Sequence, residues 1–125
     1  MDQQINVLSE FMKRMKHLYD AAHPNGAPKD LYDDLIVEEF NEWIEEREGT
    51  PDDFKELCDL IWVCVMRAIQ CDYPLEEGME ELTKEFNSKF LDKDGNFNPK
   101  YREDGKLLKG DGFKKANFEK FFEEK

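Results

Sequence analysis

Nowhere does the chain hold an apolar run approaching the roughly 18 residues that a membrane-spanning helix needs. The longest, Leu60–Met66, has seven, so no membrane partner is expected. Positive charge is also scarce: 18 Lys+Arg stand against 30 Asp+Glu, a net charge of −12. Such a field repels nucleic acid and anionic lipid unless the few cations gather in one place. Histidine is limited to His17 and His23, and neither sits in a triad-like or zinc-ligand pattern, which argues against imidazole-based nucleophilic catalysis. The three cysteines, Cys58, Cys64 and Cys71, lie six and seven residues apart in one helical stretch. That spacing fits neither a zinc knuckle nor a disulfide framework and predicts reduced thiols in a cytoplasmic protein. The first twenty residues are charged and amphipathic, unlike a signal peptide.

What is present points to one helical domain spanning residues 1–125, with a helical core over about 3–90 and a loop and tail over 91–125. The 39% hydrophobic content with ten Phe is incompatible with intrinsic disorder. Ile5, Leu8, Phe11, Met12, Met15, Leu18 and Tyr19 recur at spacings of three and four, one face of a helix ending near Asp20. Residues 22–29, with two prolines and a glycine, form a connection. A second helix is expected from Asp30, as N-cap, to about Glu48, where Gly49 stops it. Thr50-Pro51-Asp52-Asp53 begins a third: cap, proline at the first helical position, acids in the first turn. It runs to about Cys71 and contains Leu60–Met66, apolar on nearly every side, so it belongs in the middle of a bundle. Its Trp62, and Trp43 of the second helix, are expected in the core. A fourth helix follows Asp72-Tyr73-Pro74, with Leu75, Met79, Leu82, Phe86 and Phe90 along its buried edge. The predicted fold class is therefore all-α, a four-helix bundle followed by a loop and a short C-terminal helix. Residues 91–112 hold four of the seven glycines and many charges, consistent with an ordered loop or short hairpin. Phe113 to Glu124 can form a short docking helix, and no internal repeat is evident.

The informative anomaly lies in the second helix. Leu31, Leu35, Ile36, Phe40 and Trp43 define its buried arc, and Glu39 projects into the middle of it. Glu42 stands about 60° around the helix from Glu39. A carboxylate there must be protonated, paired or bound to metal. The third helix repeats the device with Glu56 and Asp59, just ahead of its apolar run. Two acidic pairs at i, i+3 on adjacent helices can converge four carboxylates on Mg²⁺ or Mn²⁺. The plainer alternative pairs Glu39 and Glu42 with lysines and leaves Glu56 and Asp59 on a solvated stripe.

Glu38-Glu39-Phe40-Asn41-Glu42, followed fourteen residues on by Glu56-Leu57-Cys58-Asp59, resembles the E-E-x-x-E … E-x-x-D pattern of MazG-like all-α nucleoside triphosphate pyrophosphohydrolases. Asn87-Ser88-Lys89-Phe90 and the stretch from Arg102 to Gly110, with Glu103-Asp104-Gly105-Lys106, are similar to downstream segments of the same superfamily. The resemblance spans about residues 30–112. It implies Glu39, Glu42, Glu56 and Asp59 as ligands of Mg²⁺ or Mn²⁺, with Glu38 or Glu39 accepting the proton of an attacking water. It implies Asn87, Lys89, Arg102, Lys106 and Lys109 as substrate contacts, the Asp104-Gly105 and Lys109-Gly110 pairs letting backbone approach phosphate. The reaction implied converts an NTP or dNTP to a monophosphate and pyrophosphate, with a lean towards purines and dGTP, in a homodimer or homotetramer. Two alternatives remain at this point: phosphoribosyl-ATP pyrophosphohydrolase, and a non-enzymatic acidic helical interaction module.

Asp92, Asp94, Asn96 and Glu103 match four positions of an EF-hand loop, but Phe97 stands where that loop needs glycine. A turn at Asp94-Gly95-Asn96 is the expected role.

Overall fold

A computed structural model describes residues 2–123, with side chains from residue 10 onward. The side chains of Ile5 and Leu8, predicted for the first apolar face, and Glu124, predicted for the tail, lie outside what is described. The fold class is all-α: α1 spans Asp2–Ala22, α2 Leu31–Ile44, α3 Pro51–Gln70 and α4 Leu75–Ser88, with one 3₁₀ turn at Glu119–Phe122. Among the described residues no helix is long and apolar enough to cross a membrane. The chain divides into two compact units, Met1–Leu75 and Glu76–Lys125.

In the first unit, α1 and α2 pack on α3. The core comprises Met15 and Tyr19 of α1, Tyr32 of α2, and Val63, Val65, Met66 and Ile69 of α3. Met15 is the most deeply buried, at 1% exposure. The connection between α1 and α2 is pinned by side chains from all three helices. The Tyr19 hydroxyl accepts from the Ala27 N–H at 3.1 Å, His23 Nε2 meets the Tyr32 hydroxyl at 2.8 Å, and Gln70 Nε2 donates to the Pro28 carbonyl at 3.1 Å.

The start of α3 follows the sequence expectation. Thr50 Oγ1 accepts from the Asp53 N–H at 3.1 Å, satisfying one of the open N–H groups of the first turn, and Pro51 occupies the first helical position. This same corner ends α2 at Ile44, four residues short of the expected Glu48. Asp53 accepts from the Trp43 indole at 3.0 Å and from the Gly49 N–H at 3.1 Å, while the Thr50 hydroxyl donates to the Arg47 carbonyl at 2.7 Å. Gly49, at φ +81°, provides the left-handed residue that the reversal needs. Asp30 does stand at the N-cap of α2, but its side chain makes no capping bond.

Several apolar positions are more open than their periodicity suggests. Phe40 is 46% exposed and Trp62 is 40% exposed, and Ile61 and Cys64 are likewise at the surface. Trp43 is half-buried. Both α2 and α3 carry more apolar arc than their neighbours cover: Val37, Phe40 and Ile44 form one exposed stripe, and Phe54, Leu57 and Ile61 another.

On α4 the expected buried edge holds only at its ends, where Leu75 and Phe90 are half-buried. Met79, Leu82 and Phe86 are exposed. The C-terminal segment covers the stripe of Gly78, Glu81, Glu85 and Ser88 instead. A Cβ on Gly78 would sit 3.3 Å from the Phe118 ring. Lys120 pairs with Glu81 at 2.9 Å, and Glu85 accepts from the Ala116 N–H at 3.1 Å. Buried Ser88 accepts from the Lys114 N–H at 2.8 Å and holds its hydroxyl 2.7 Å from the Glu85 carbonyl. These bonds replace the expected docking helix, of which only the Glu119–Phe122 turn is helical.

Between α4 and this segment lie two turns of the same construction, ten residues apart, a repetition marked in the sequence by Asp94-Gly95 and Asp104-Gly105 that the expectation of no internal repeat overlooked. Leu91 bridges to Phe97 and Tyr101 to Leu107, both antiparallel. Gly95 and Gly105 occupy matching positions at φ +80° and +90°. Asp92 Oδ1 accepts from the N–H groups of Asp94 and Asn96 at 2.9 and 3.0 Å, so this carboxylate serves the turn.

Candidate metal centre

The corner built by Thr50, Asp53 and Trp43 joins α2 to α3 so that the acidic pair of each helix meets its counterpart. Carboxylate oxygens of Glu39, Glu56 and Asp59 lie within 4.8 Å of one another. All three side chains are half-buried. Glu39 Oε2 and Glu56 Oε2 are fully shielded from solvent and have no hydrogen-bond partner. A shielded anionic oxygen without a donor is costly, and two beside each other are worse. Protons or cations entering the group would relieve that cost.

Glu42 is exposed on the rim of this group and is electrically part of it. A hydrogen bond with Glu39, and then the Glu39 charge, raises its pKa, with Glu56 opposing the rise and Glu38 adding weakly to it. Burial raises the pKa of Glu56; Lys55 opposes the rise, and the charges of Glu42 and Asp59 reinforce it. Among the described residues, neither Glu39 nor Glu42 forms an ion pair with a lysine, the plainer alternative considered for them. Asp59 does: Lys55 Nζ lies 2.5 Å from Asp59 Oδ2. Sequence reasoning overlooked Lys55, although its place one turn before Asp59 was the available signal. Glu38 is exposed.

Known protein families, curated proteins and solved structures contain no match to this chain.

The other predicted site residues, Asn87, Lys89, Arg102, Lys106 and Lys109, belong to the second unit. Asn87 is exposed, and its carbonyl accepts from the Phe90 N–H at 3.2 Å. Lys89 Nζ lies 5.3 Å from the centre of the Phe86 ring, and Lys109 Nζ lies 4.9 Å from that of Phe113. Arg102 is committed to its own turn, donating from Nε and Nη2 to the two Asp104 oxygens at 2.9 and 2.6 Å. Asp104 also accepts from the Lys106 N–H at 3.2 Å, and these contacts hold its pKa low, Arg102 foremost.

The expected role of Gly110 needs correction. A Cβ there would lie 2.3 Å from the Leu91 carbonyl oxygen and 2.9 Å from that of Lys89. The close approach that glycine permits is to the chain's own backbone, and Gly110 is buried against it. Gly112 does the same against the Asp92 carbonyl, at 2.3 Å. Gly105 is required by its left-handed turn.

Proposed function

We propose that Glu39, Glu42, Glu56 and Asp59 hold Mg²⁺ or Mn²⁺, and that the chain is a MazG-like nucleoside triphosphate pyrophosphohydrolase. The observation carrying this reading is the convergence of three carboxylates within 4.8 Å, two of them with shielded, partnerless oxygens. The donor set is all carboxylate oxygen, which suits hard divalent cations and not softer ones. When bound, such a cation neutralises phosphate charge and lowers the pKa of a water at the site. Against a purely solvated acidic surface stands the cost of those two oxygens, which an interaction module would have no reason to bear.

The chain's own residues take the remaining roles. Glu39 and Glu56 fix the site from two helices, and the rigid corner at Asp53 holds their register. Glu38 has a solvent-facing carboxylate next in sequence to Glu39, and either can accept the proton of an attacking water. Phosphoryl chemistry of this kind depends chiefly on placement and charge stabilisation. For the substrate, the resemblance carries over Asn87, Lys89, Lys106 and Lys109; Arg102 joins them only by releasing Asp104. The product pair is a nucleoside monophosphate and pyrophosphate, with purine deoxynucleotides the leading substrates. The exposed stripes on α2 and α3 favour a homodimer or homotetramer, because single chains rarely leave aligned apolar side chains bare.

The test is direct. Purified protein is incubated with each NTP and dNTP plus Mg²⁺ or Mn²⁺, and the products are resolved by chromatography. Monophosphate and pyrophosphate, formed by the wild type and lost in Glu39→Gln, are expected. Turnover that survives in Glu39→Gln, or release of orthophosphate alone, refutes the assignment.

A further inference from the structure

Lys55 stands in a place that the proposed chemistry does not require. Its ammonium contacts Asp59 Oδ2 at 2.5 Å, and its side chain is 69% exposed against 33% for Asp59. Among the described residues it is the cation ion-paired with a member of the carboxylate group. Its electrostatic influence extends beyond Asp59, to Glu56 and Glu39. The remaining carboxylates of the group have only one another.

We propose that Lys55 is a built-in counter-ion, which holds Asp59 while no divalent cation is present and must give way when one binds, thereby setting the metal concentration at which the site fills. This rests on the metal reading above. Two magnitudes decide between displacement and a supporting role. An exposed i, i+4 ion pair favours its bound geometry by only about twofold. A single positive charge about 5 Å from a doubly charged cation, even in water, disfavours binding on the order of tenfold before salt screening. Repulsion therefore wins over the pair. The exposed four-carbon stem lets the ammonium swing away without disturbing the core. A lysine that merely oriented Asp59 would act in the opposite direction, since losing an orienting partner weakens metal binding.

The test measures Mn²⁺ binding to the whole chain by electron paramagnetic resonance, without nucleotide and at low salt. Lys55→Met is expected to bind Mn²⁺ about two- to threefold more tightly than wild type, the twofold cost of breaking the pair plus the screened repulsion of the displaced charge, and Lys55→Arg to stay close to wild type. Lys13→Met removes the same charge from the ion pair with Glu10 elsewhere on the first unit and is expected to change nothing. Mn²⁺ affinity that falls or stays constant in Lys55→Met overturns the proposal while leaving the metal site intact. Equal tightening in Lys13→Met also overturns it, because the effect is then one of net charge. If neither wild type nor Lys55→Met binds Mn²⁺, the metal reading itself fails and this inference with it. Binding by Lys55→Met alone supports it in its strongest form.

Discussion

Replacing Glu56 with Gln should stabilise the protein in chelator and destabilise it, relative to wild type, in magnesium. Glu56 Oε2 is partnerless, and oxygens of Glu39, Glu56 and Asp59 lie within 4.8 Å of one another. Without a cation, the substitution removes one of several mutually repelling charges and supplies an amide N–H₂ that can donate to a neighbouring carboxylate. The melting temperature in EDTA should therefore rise. With a cation, the sign reverses. A ligand that binds only the folded state at one hundred times its dissociation constant stabilises it by about 2.7 kcal/mol. For a chain of 125 residues that corresponds to a rise of about 10 °C in Tm. Losing one carboxylate ligand should remove most of this rise. Differential scanning fluorimetry over a MgCl₂ series, for wild type and Glu56→Gln, gives both numbers, and the two curves should cross. Parallel curves, with the same magnesium response in both proteins, would show that the cation acts elsewhere and that Glu56 is not a ligand.

Other consequences follow from individual contacts. Gly110→Ala forces a Cβ to 2.3 Å from a backbone oxygen, so urea denaturation should show a loss of about 1–3 kcal/mol; an unchanged midpoint would show that the segment shifts freely. Met15→Ala, at the most buried position of the first unit, should cost about 2–5 kcal/mol in the same assay. The pKa values of Glu42 and Glu56 are raised in the folded chain, so the native state holds protons there more tightly than the unfolded one. Stability from these two groups is lost as pH rises from the ordinary carboxylate value near 4.5 through their raised values. In EDTA, the stability difference between Glu56→Gln and wild type should accordingly widen with pH and level off; a difference independent of pH would contradict the assigned cause. Saturating Mg²⁺ should flatten the wild-type dependence.

The acidic group was legible because a helix period of 3.6 residues places Glu39 among Leu35, Ile36 and Trp43, where a carboxylate has no ordinary business. The start of α3 was equally legible, since Thr50, Pro51 and the acids after them act within one turn. What periodicity does not contain is which of several apolar arcs finds a neighbour. Phe40 and Trp62 lie on arcs that qualify for burial by pattern, yet the described packing leaves them open. On α4, the pattern pointed to Met79, Leu82 and Phe86, whereas the hydrogen bonds of Ser88 and Glu85 and the Glu81–Lys120 pair draw the C-terminal segment to the polar face. The early end of α2 depends on Asp53 reaching back ten residues to Trp43, a contact between helices that no local signal announces. Gly110 shows a further limit. A glycine marks a close approach without naming the partner, and here the partner is the Leu91 carbonyl.

Four carboxylates from α2 and α3 are proposed to hold a divalent cation. Crystals grown with Mn²⁺ and a non-hydrolysable nucleoside triphosphate analogue, measured at the manganese absorption edge, test it most directly. An anomalous peak enclosed by oxygens of Glu39, Glu42, Glu56 and Asp59, with phosphate oxygens completing its coordination, is expected. No anomalous peak at these four residues, with density for the nucleotide present elsewhere, would contradict it.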